Sequence, residues 1–84
     1  MKRDVYLLNN IAHFRHRFKM TQTDLARAAG TSKNTISCLE TYQFYPSAFL
    51  AFRICEVFGC TFEELFYFNR SLNYQQFIQQ NLEV

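Results

Sequence analysis

The fold is decided by the stretch TQTDLARAAGTSKNTISCLE, residues 21–40. Thr21 can cap a first helix with its hydroxyl, and Asp24, three residues later, can return a bond to the backbone amide of the cap. Gly30 stands where the chain must leave that helix, because a residue without a Cβ adopts the left-handed conformation at little cost. Ser32 can then cap a second helix at once. The spacing therefore predicts two short helices joined by a turn of a few residues.

The second of these helices has one apolar face and one polar face. Ile36 and Leu39 fall on the inward side. The outward positions hold small or hydrogen-bonding side chains, namely Lys33, Asn34, Ser37, Cys38 and Thr41. A solvated surface helix usually carries pairs of Glu and Lys, whereas the side chains found here suit close approach to the edges of DNA bases. The outward face is therefore a candidate DNA-reading surface, with an ordinary helix pair of an all-α protein as the alternative.

The segment resembles the helix-turn-helix of the Cro and phage-repressor family, the XRE-type DNA-binding proteins of bacteria. The positions that carry the resemblance are Arg15, Gln22, Leu25, Ala26, Gly30, Ile36, Ser37 and Glu40. Further on, YPSAFLAFRICEVFGCTFEELFYF, residues 45–68, is similar to the end of compact single-domain members such as the cytolysin repressor. The resemblance covers roughly residues 8–68 and implies a domain that binds double-stranded DNA.

Apolar residues at helical spacing predict an all-α domain of five helices. The first is expected from about Leu8 to Lys19, and the next two lie within residues 21–41. The fourth follows the cap Ser47 and stops at Gly59, and the fifth runs from Thr61 to about Phe66. The inward positions expected outside residues 21–41 are Leu8, Ile11, Phe14, Phe18, Leu50, Ile54, Val57, Phe58, Leu65 and Phe66.

The length of 84 residues allows one modest core, so residues 1–84 are expected to form a single domain. Its helix-turn-helix core is expected at residues 8–68, followed by a C-terminal extension at 69–84. In that extension residues 73–82 could form a sixth helix, packed on the body or on a second subunit, because four apolar residues would share one of its sides, namely Tyr74, Phe77, Ile78 and Leu82.

Composition favours a cytoplasmic protein without a membrane span. The first ten residues lack an apolar run long enough for a signal peptide. Three Cys without a CxxC pair suit a reducing compartment, where they stay thiols. Residues 1–36 hold seven Lys or Arg and two Asp, a net +5, whereas residues 37–84 hold two Arg and five Glu, a net −3. The half with the candidate DNA-reading segment is thus the one that attracts phosphates.

The expected DNA contacts fall into two groups. Base contacts are expected from Lys33, Asn34, Ser37 and Cys38, because Lys suits guanine and Asn suits adenine in the major groove. A phosphate contact is the alternative for Lys33, and a thiol packed at the helix edge is the alternative for Cys38. Contacts to the DNA backbone are expected from Thr21, Gln22, Ser32, Thr35, Thr41, Tyr42 and Gln43.

Arg15 and Glu40 fall on inward-turned positions, and the family resemblance implies a salt bridge between them that holds the second helix of the motif. The resemblance also implies that Gln22 both contacts phosphate and braces that helix. After Glu40 the sequence departs from the family, because the usual Gly and Lys of the following turn are replaced in Thr41-Tyr42-Gln43. Phe44 and Tyr45 are expected to pack inward or at a dimer contact.

No catalytic constellation is recognisable, and neither a cofactor nor a metal site is expected. His13 and His16 are spaced for a shared metal, but no third ligand is evident. Three functions remain: a repressor or regulator, a restriction-modification controller or antitoxin with the same fold, and a protein-interaction module that has lost DNA binding. A homodimer on a palindromic operator is expected. Its predicted interface is Phe62, Phe66, Tyr67 and Phe68, and the alternative is a monomer in which the extension covers these rings.

Overall fold

Five helices and two short strands make up the part of the chain, residues 7–68, that the computed structural model describes. In chain order they are β1 (Leu7–Asn9), α1 (Ile11–Arg17), α2 (Gln22–Ala29), α3 (Lys33–Glu40), α4 (Ala48–Phe58), α5 (Phe62–Leu65) and β2 (Phe66–Phe68). The C-terminal extension at 69–84, with its possible sixth helix, lies outside the described residues. Within residues 7–68 no helix is both long enough and apolar enough to cross a membrane.

The two strands correct the all-α prediction. They form an antiparallel pair with Leu7 opposite Phe68, Leu8 opposite Tyr67 and Asn9 opposite Phe66. The first helix therefore begins at Ile11 rather than at Leu8, and the fifth ends at Leu65 rather than at Phe66. Aromatic residues favour extended backbone, and the FYF run gains hydrogen bonds by pairing with the N-terminal strand. Local periodicity near Leu8 could not reveal a partner so distant in the sequence.

The core lies where α1 to α5 meet β2. Its buried side chains are Ile11, Leu25, Ala26, Ala29, Ile36, Leu39, Ala51, Ile54, Cys55, Phe58, Leu65 and Phe66. Phe18 corrects the expectation of inward packing. The exposure of Phe44 and Tyr45 contradicts the inward alternative for these two residues, while a dimer contact stays a prediction. Phe18 is 52% exposed, although its ring stacks on Phe58 at 5.7 Å between centroids, and Phe44 and Tyr45 are 47% and 44% exposed.

The predicted helix caps are confirmed at four helices. Thr21 and Thr61 each close a capping box, with Asp24 and Glu64 as the returning carboxylates, while Ser32 and Ser47 cap α3 and α4. The backbone amide of Thr21 donates to the Asp24 carboxylate and holds the pKa of that group below its usual value. These caps satisfy amides that a short helix would otherwise leave unpaired.

The first four helices all end in the same left-handed turn. In each, the N–H of the residue with left-handed backbone donates to the carbonyl of the residue three positions earlier. The N–H of the following residue donates to the carbonyl of the residue five positions before it, which is the pattern of a Schellman turn. Gly30 and Gly59 take this position after α2 and α4, with φ of 77° and 64°. Lys19 and Tyr42 take it after α1 and α3, with φ of 55° and 60°. Two of the four Schellman turns thus place a Cβ where it is strained.

We expect Lys19→Gly to stabilise the domain by about 0.5–1 kcal/mol, because glycine relieves the left-handed strain at a modest cost in unfolded-state entropy. Chemical denaturation at equilibrium measures the change in the free energy of unfolding. A loss of stability in this variant would show that the Lys19 side chain matters more than its backbone conformation.

The matched control is Gly59→Ala, at the equivalent position after α4. Among residues 7–68, no atom outside the adjoining backbone lies within 4 Å of the Cβ that this change would add, so only backbone strain is introduced. It should destabilise the domain by about 1 kcal/mol, opposite in sign to the change at Lys19.

Candidate nucleic-acid interface

Within residues 7–68, the packing of α2 against α3 leaves one side of α3 at the surface. Leu25 and Ala29 of α2 and Ile36 and Leu39 of α3 are buried against one another and the rest of the core. The turn between the helices takes only Gly30 to Ser32, which holds them close together. The confirmed order of cap, helix, glycine turn, cap and helix therefore presents the outward side of α3 to the surface.

The N-terminal end of this surface carries unengaged polar groups. Lys33 and Asn34 are exposed, and within residues 7–68 neither side chain has a hydrogen-bond partner. Ser37 and Cys38, one turn further on, are partly buried. Donors that have no partner within the folded domain cost little to redirect toward a ligand. The first turn of α3 is therefore the part of the surface best able to form new hydrogen bonds.

At the C-terminal end of the same surface, the polar side chains already hydrogen-bond to one another and to the helix backbone. The Thr41 hydroxyl donates to the Ser37 carbonyl at 2.9 Å, and the Gln43 amide donates to that hydroxyl at 3.0 Å. The Cys38 thiol donates to the Gln43 side-chain oxygen at 3.6 Å. The side chains of Cys38, Thr41 and Gln43 were expected to contact DNA. A contact with DNA would have to add to these internal hydrogen bonds or replace them.

Glu40, the last residue of α3, is bound by two other helices. Arg15 of α1 donates from Nε to Oε2 at 2.8 Å and from Nη2 to Oε1 at 3.3 Å. Gln22 of α2 donates from Nε2 to Oε1 at 3.0 Å. Arg15 also donates to the carbonyl of Met20 at 3.0 Å, in the turn between α1 and α2. One carboxylate therefore joins three helices at the end of α3 opposite Lys33.

Gln22 lies both at the start of α2 and within hydrogen-bonding distance of Glu40. It opens α2 beside the capping residue Thr21, so its side chain lies near the amides that attract a phosphate. Its amide nitrogen is nevertheless engaged with Glu40, which leaves one amide hydrogen for another acceptor. The arrangement is able to serve both roles that the family resemblance implies.

The remaining expected backbone contacts lie at helix ends. The Thr21 hydroxyl accepts the Asp24 amide at 3.0 Å. The hydroxyls of Ser32 and Thr35 lie 2.9 Å apart at the start of α3. Tyr42, where the family resemblance implies glycine, turns its hydroxyl toward the Asn9 carbonyl at 3.4 Å, a long hydrogen bond.

Asn9 and Asn10 are structural links that the sequence did not reveal. The Asn9 amide donates to the carbonyl of Leu39 at 3.0 Å, and the Asn10 amide donates to the carbonyl of Glu64 at 3.1 Å. Bonds from side chains to distant backbone carbonyls leave no periodic pattern. The only available signal was an adjacent pair of amides between an apolar run and a helix.

An aromatic surface lies around the β1–β2 sheet. Phe62 contacts Phe52 at 6.0 Å and stacks on Phe66 at 4.7 Å between ring centroids. An apolar cleft of about 480 Å³ opens there, lined by Leu7, Phe62, Glu63, Phe66, Tyr67 and Phe68. Phe66 is only 4% exposed, which confirms its predicted inward position and leaves little of its ring for the expected dimer contact. Tyr67 and Phe68 are 42% and 38% exposed.

The thiols and histidines of the described part offer no evident reaction centre. Burial raises the pKa of Cys55 to about 11, with a smaller contribution from neighbouring Cys60, so this thiol is protonated at neutral pH and a poor nucleophile. Among residues 7–68 no three His, Cys, Asp and Glu side chains lie close enough to hold a metal ion.

We expect Glu40→Gln to destabilise the domain by about 2–3 kcal/mol, because it leaves the largely buried Arg15 guanidinium without its counter-charge. The side chains of Arg15 and Glu40 are only 12% and 8% exposed. Thermal and chemical denaturation would measure the loss. The control is Glu56→Gln on the exposed side of α4, for which we expect a change within about 0.5 kcal/mol. Equal effects of the two substitutions would contradict the anchoring role of Glu40.

Comparisons with known proteins agree with this geometry. Residues 11–65 match the helix-turn-helix family. Two uncharacterized HTH-type transcriptional regulators of Archaeoglobus fulgidus are each 41% identical over 59 residues, which is 70% of this chain and 83% or 84% of theirs. One from Methanocaldococcus jannaschii is 38% identical over 58 residues, which is 69% of this chain and 88% of the relative.

A solved structure shares the fold. A crystal structure of a Bacteroides fragilis protein, considered to be DNA-binding, superposes with a TM-score of 0.67 at 26% identity. The match covers 74% of this chain and all of the other. The family match spans all five helices and the Arg15–Glu40 pair. The chain belongs to the XRE-type helix-turn-helix family of DNA-binding transcription regulators.

Proposed function

We propose that this protein is a sequence-specific repressor that inserts the N-terminal end of α3 into the major groove of double-stranded DNA. The observation that carries the proposal is the contrast between the two ends of α3. Within residues 7–68, Lys33 and Asn34 are exposed and without a hydrogen-bond partner at one end, while Glu40 is fixed by Arg15 and Gln22 at the other. A reading helix needs both free donors and a rigid support.

The surroundings of α3 suit the phosphate backbone. The start of α2 offers Thr21 and Gln22 near its unpaired amides, and the start of α3 offers Ser32 and Thr35. The exposed cations Arg17, Lys19 and Arg27 belong to the same N-terminal half of the domain. These groups would hold the domain on the duplex without reading its sequence, and reduced thiols fit work in the cytoplasm.

We further propose a homodimer bound to a palindromic operator. An eight-residue α3 is about 12 Å long and reads only a few base pairs, so useful selectivity requires two copies about 34 Å apart. The apolar cleft beside β2 supports an interface there, because Tyr67 and Phe68 expose aromatic surface next to Phe62. A two-fold axis through this cleft would place the same residues of both copies in contact.

The exposed aromatic rings also support a second candidate, a protein-interaction module. Phe49 and Phe52 on α4 are 75% and 59% exposed, which is unusual for rings without a binding role. A restriction-modification controller or an antitoxin could use such a surface for a partner while keeping α3 for DNA. If the wild-type protein does not bind DNA, the interaction module is the better explanation of its function.

We expect Asn34→Ala to reduce discrimination by about 1–3 kcal/mol per half-site, because a bidentate amide contact to adenine would be lost. The measurement is the affinity for a duplex that the wild-type chain selects from a random library, relative to a scrambled duplex, at one fixed salt concentration.

The control for Asn34 is Glu56→Ala, an exposed change on α4 outside the proposed interface. It should leave the ratio of the two affinities within about twofold of wild type. An Asn34→Ala variant that discriminates as well as wild type would remove α3 from the role of reading helix.

We expect Tyr67→Asp to convert the dimer to a monomer at micromolar concentration, because two carboxylates would be brought into an apolar interface. Tyr67 is exposed in the protomer, so the fold should survive. Sedimentation equilibrium decides between the two states. Phe49→Asp, at an exposed ring on α4 outside the cleft, serves as the control and should stay dimeric. A wild-type monomer, or a Tyr67→Asp dimer, would contradict the proposed interface.

A further inference from the structure

We propose that Asn9 is a positioning residue for DNA recognition. Its side-chain amide ties the C-terminal end of α3 to β1 and thereby sets the orientation of the Lys33–Asn34 end. The proposal rests on the proposed reading role of α3, and it assigns part of the sequence selectivity to a residue on the opposite side of the helix from the expected base contacts.

Both polar atoms of the Asn9 side chain are used, and each binds a different element. Nδ2 donates to the carbonyl of Leu39 in α3 at 3.0 Å, while Oδ1 accepts the backbone amide of Ile11 at the start of α1 at 3.1 Å. The main-chain carbonyl of Asn9 accepts the long bond from the Tyr42 hydroxyl. Asn9 is thus joined to α1, to the end of α3 and to the turn that follows α3.

The chemistry requires a primary amide. Only Asn or Gln carries a donor and an acceptor on one short planar group, and the donor must reach a carbonyl whose other lone pair is already used by the Tyr42 amide at 3.2 Å. An aspartate at this position could still accept from Ile11 but would place a negative charge against the Leu39 carbonyl. The Leu39 contact can therefore be removed separately from the Ile11 contact.

The sheet gives Asn9 a fixed position from which to hold α3. Asn9 stands opposite Phe66 in the strand pair, and Phe66 is buried in the core. The next residue, Asn10, donates its backbone amide to the carbonyl of Leu65 at 2.8 Å. The backbone that carries Asn9 is consequently fixed both by the strand pair and by the bond of Asn10, so the Asn9 side chain holds α3 from a fixed position.

A small rotation about this anchor has a large effect at the DNA-reading end. From Glu40 to Asn34 the helix rises about 9 Å, so a tilt of about 10° moves Asn34 by about 1.5 Å. Hydrogen bonds to base edges tolerate only a few tenths of an ångström. Glu40 and Leu39 are adjacent residues held from different directions, by α1 and α2 in one case and by β1 in the other, so loss of the Leu39 bond frees one direction of tilt.

The test compares Asn9→Asp with Asn10→Asp. The two variants carry the same change in charge, and each loses one side-chain bond to a backbone carbonyl, but the Asn10 bond goes to Glu64 and not to α3. The probes are the duplex selected by the wild-type chain from a random library and a scrambled duplex, measured at a temperature where circular dichroism shows both variants folded.

We expect the ratio of selected to scrambled affinity to fall about tenfold in Asn9→Asp and to stay within about twofold of wild type in Asn10→Asp. A general loss of stability would not produce this contrast among folded variants. A ratio that is unchanged in Asn9→Asp, or that falls equally in both variants, would overturn the proposal. If Asn9→Asp does not fold, Asn9→Ser replaces it under the same criterion, since serine keeps an acceptor and is too short to reach Leu39.

A second readout separates this proposal from the proposed function. Amide hydrogen exchange at Thr41 and Gln43, whose N–H groups bond to Ser37 and Cys38 at the end of α3, should be faster in Asn9→Asp than in Asn10→Asp. If the wild-type chain shows no preference among duplexes, the proposed function fails, and unequal exchange still shows that Asn9 holds α3. Equal exchange in the two variants would overturn the positioning role itself.

Discussion

The carboxylate of Glu40 is the constraint on which the rest of the interface depends. A charge that is nearly removed from water is tolerable only when it is paired, and the pairing here comes from Arg15 on α1 and Gln22 on α2. Because both donors must converge on one group, the three helices can meet in only a narrow range of orientations. The end of α3 is thereby held fixed, while its first turn keeps its polar side chains available.

Two of the short turns between helices contain backbone strain. Lys19 and Tyr42 occupy left-handed positions that glycine fills elsewhere in the same chain. In return, the turn after α1 brings the Met20 carbonyl to Arg15, and the turn after α3 brings the Tyr42 hydroxyl to Asn9. Both strained turns therefore adjoin the network that holds α3, so the cost in stability lies beside the residues that we propose to read DNA.

The sequence predicted correctly those features of the motif that depend on neighbouring residues. Caps, glycine turns and the apolar faces of α2 and α3 all depend on residues within four positions of one another, and the structure confirms them. The β1–β2 pair and the Asn9–Leu39 bond join residues far apart in the chain, so no local pattern predicts them. Ten Phe and five Tyr exceed what so small a core can bury, which explains why inward packing of Phe18, Phe44 and Tyr45 was wrong.

The most direct measurement is a crystal structure of the full chain bound to the duplex that it selects. We predict that the first turn of α3 lies in the major groove, with Lys33 and Asn34 within hydrogen-bonding distance of base edges and with the bonds of Glu40 to Arg15 and Gln22 intact. A complex in which the duplex meets another face of the domain, or in which α3 binds DNA only after the Glu40 bonds are broken, would contradict this account.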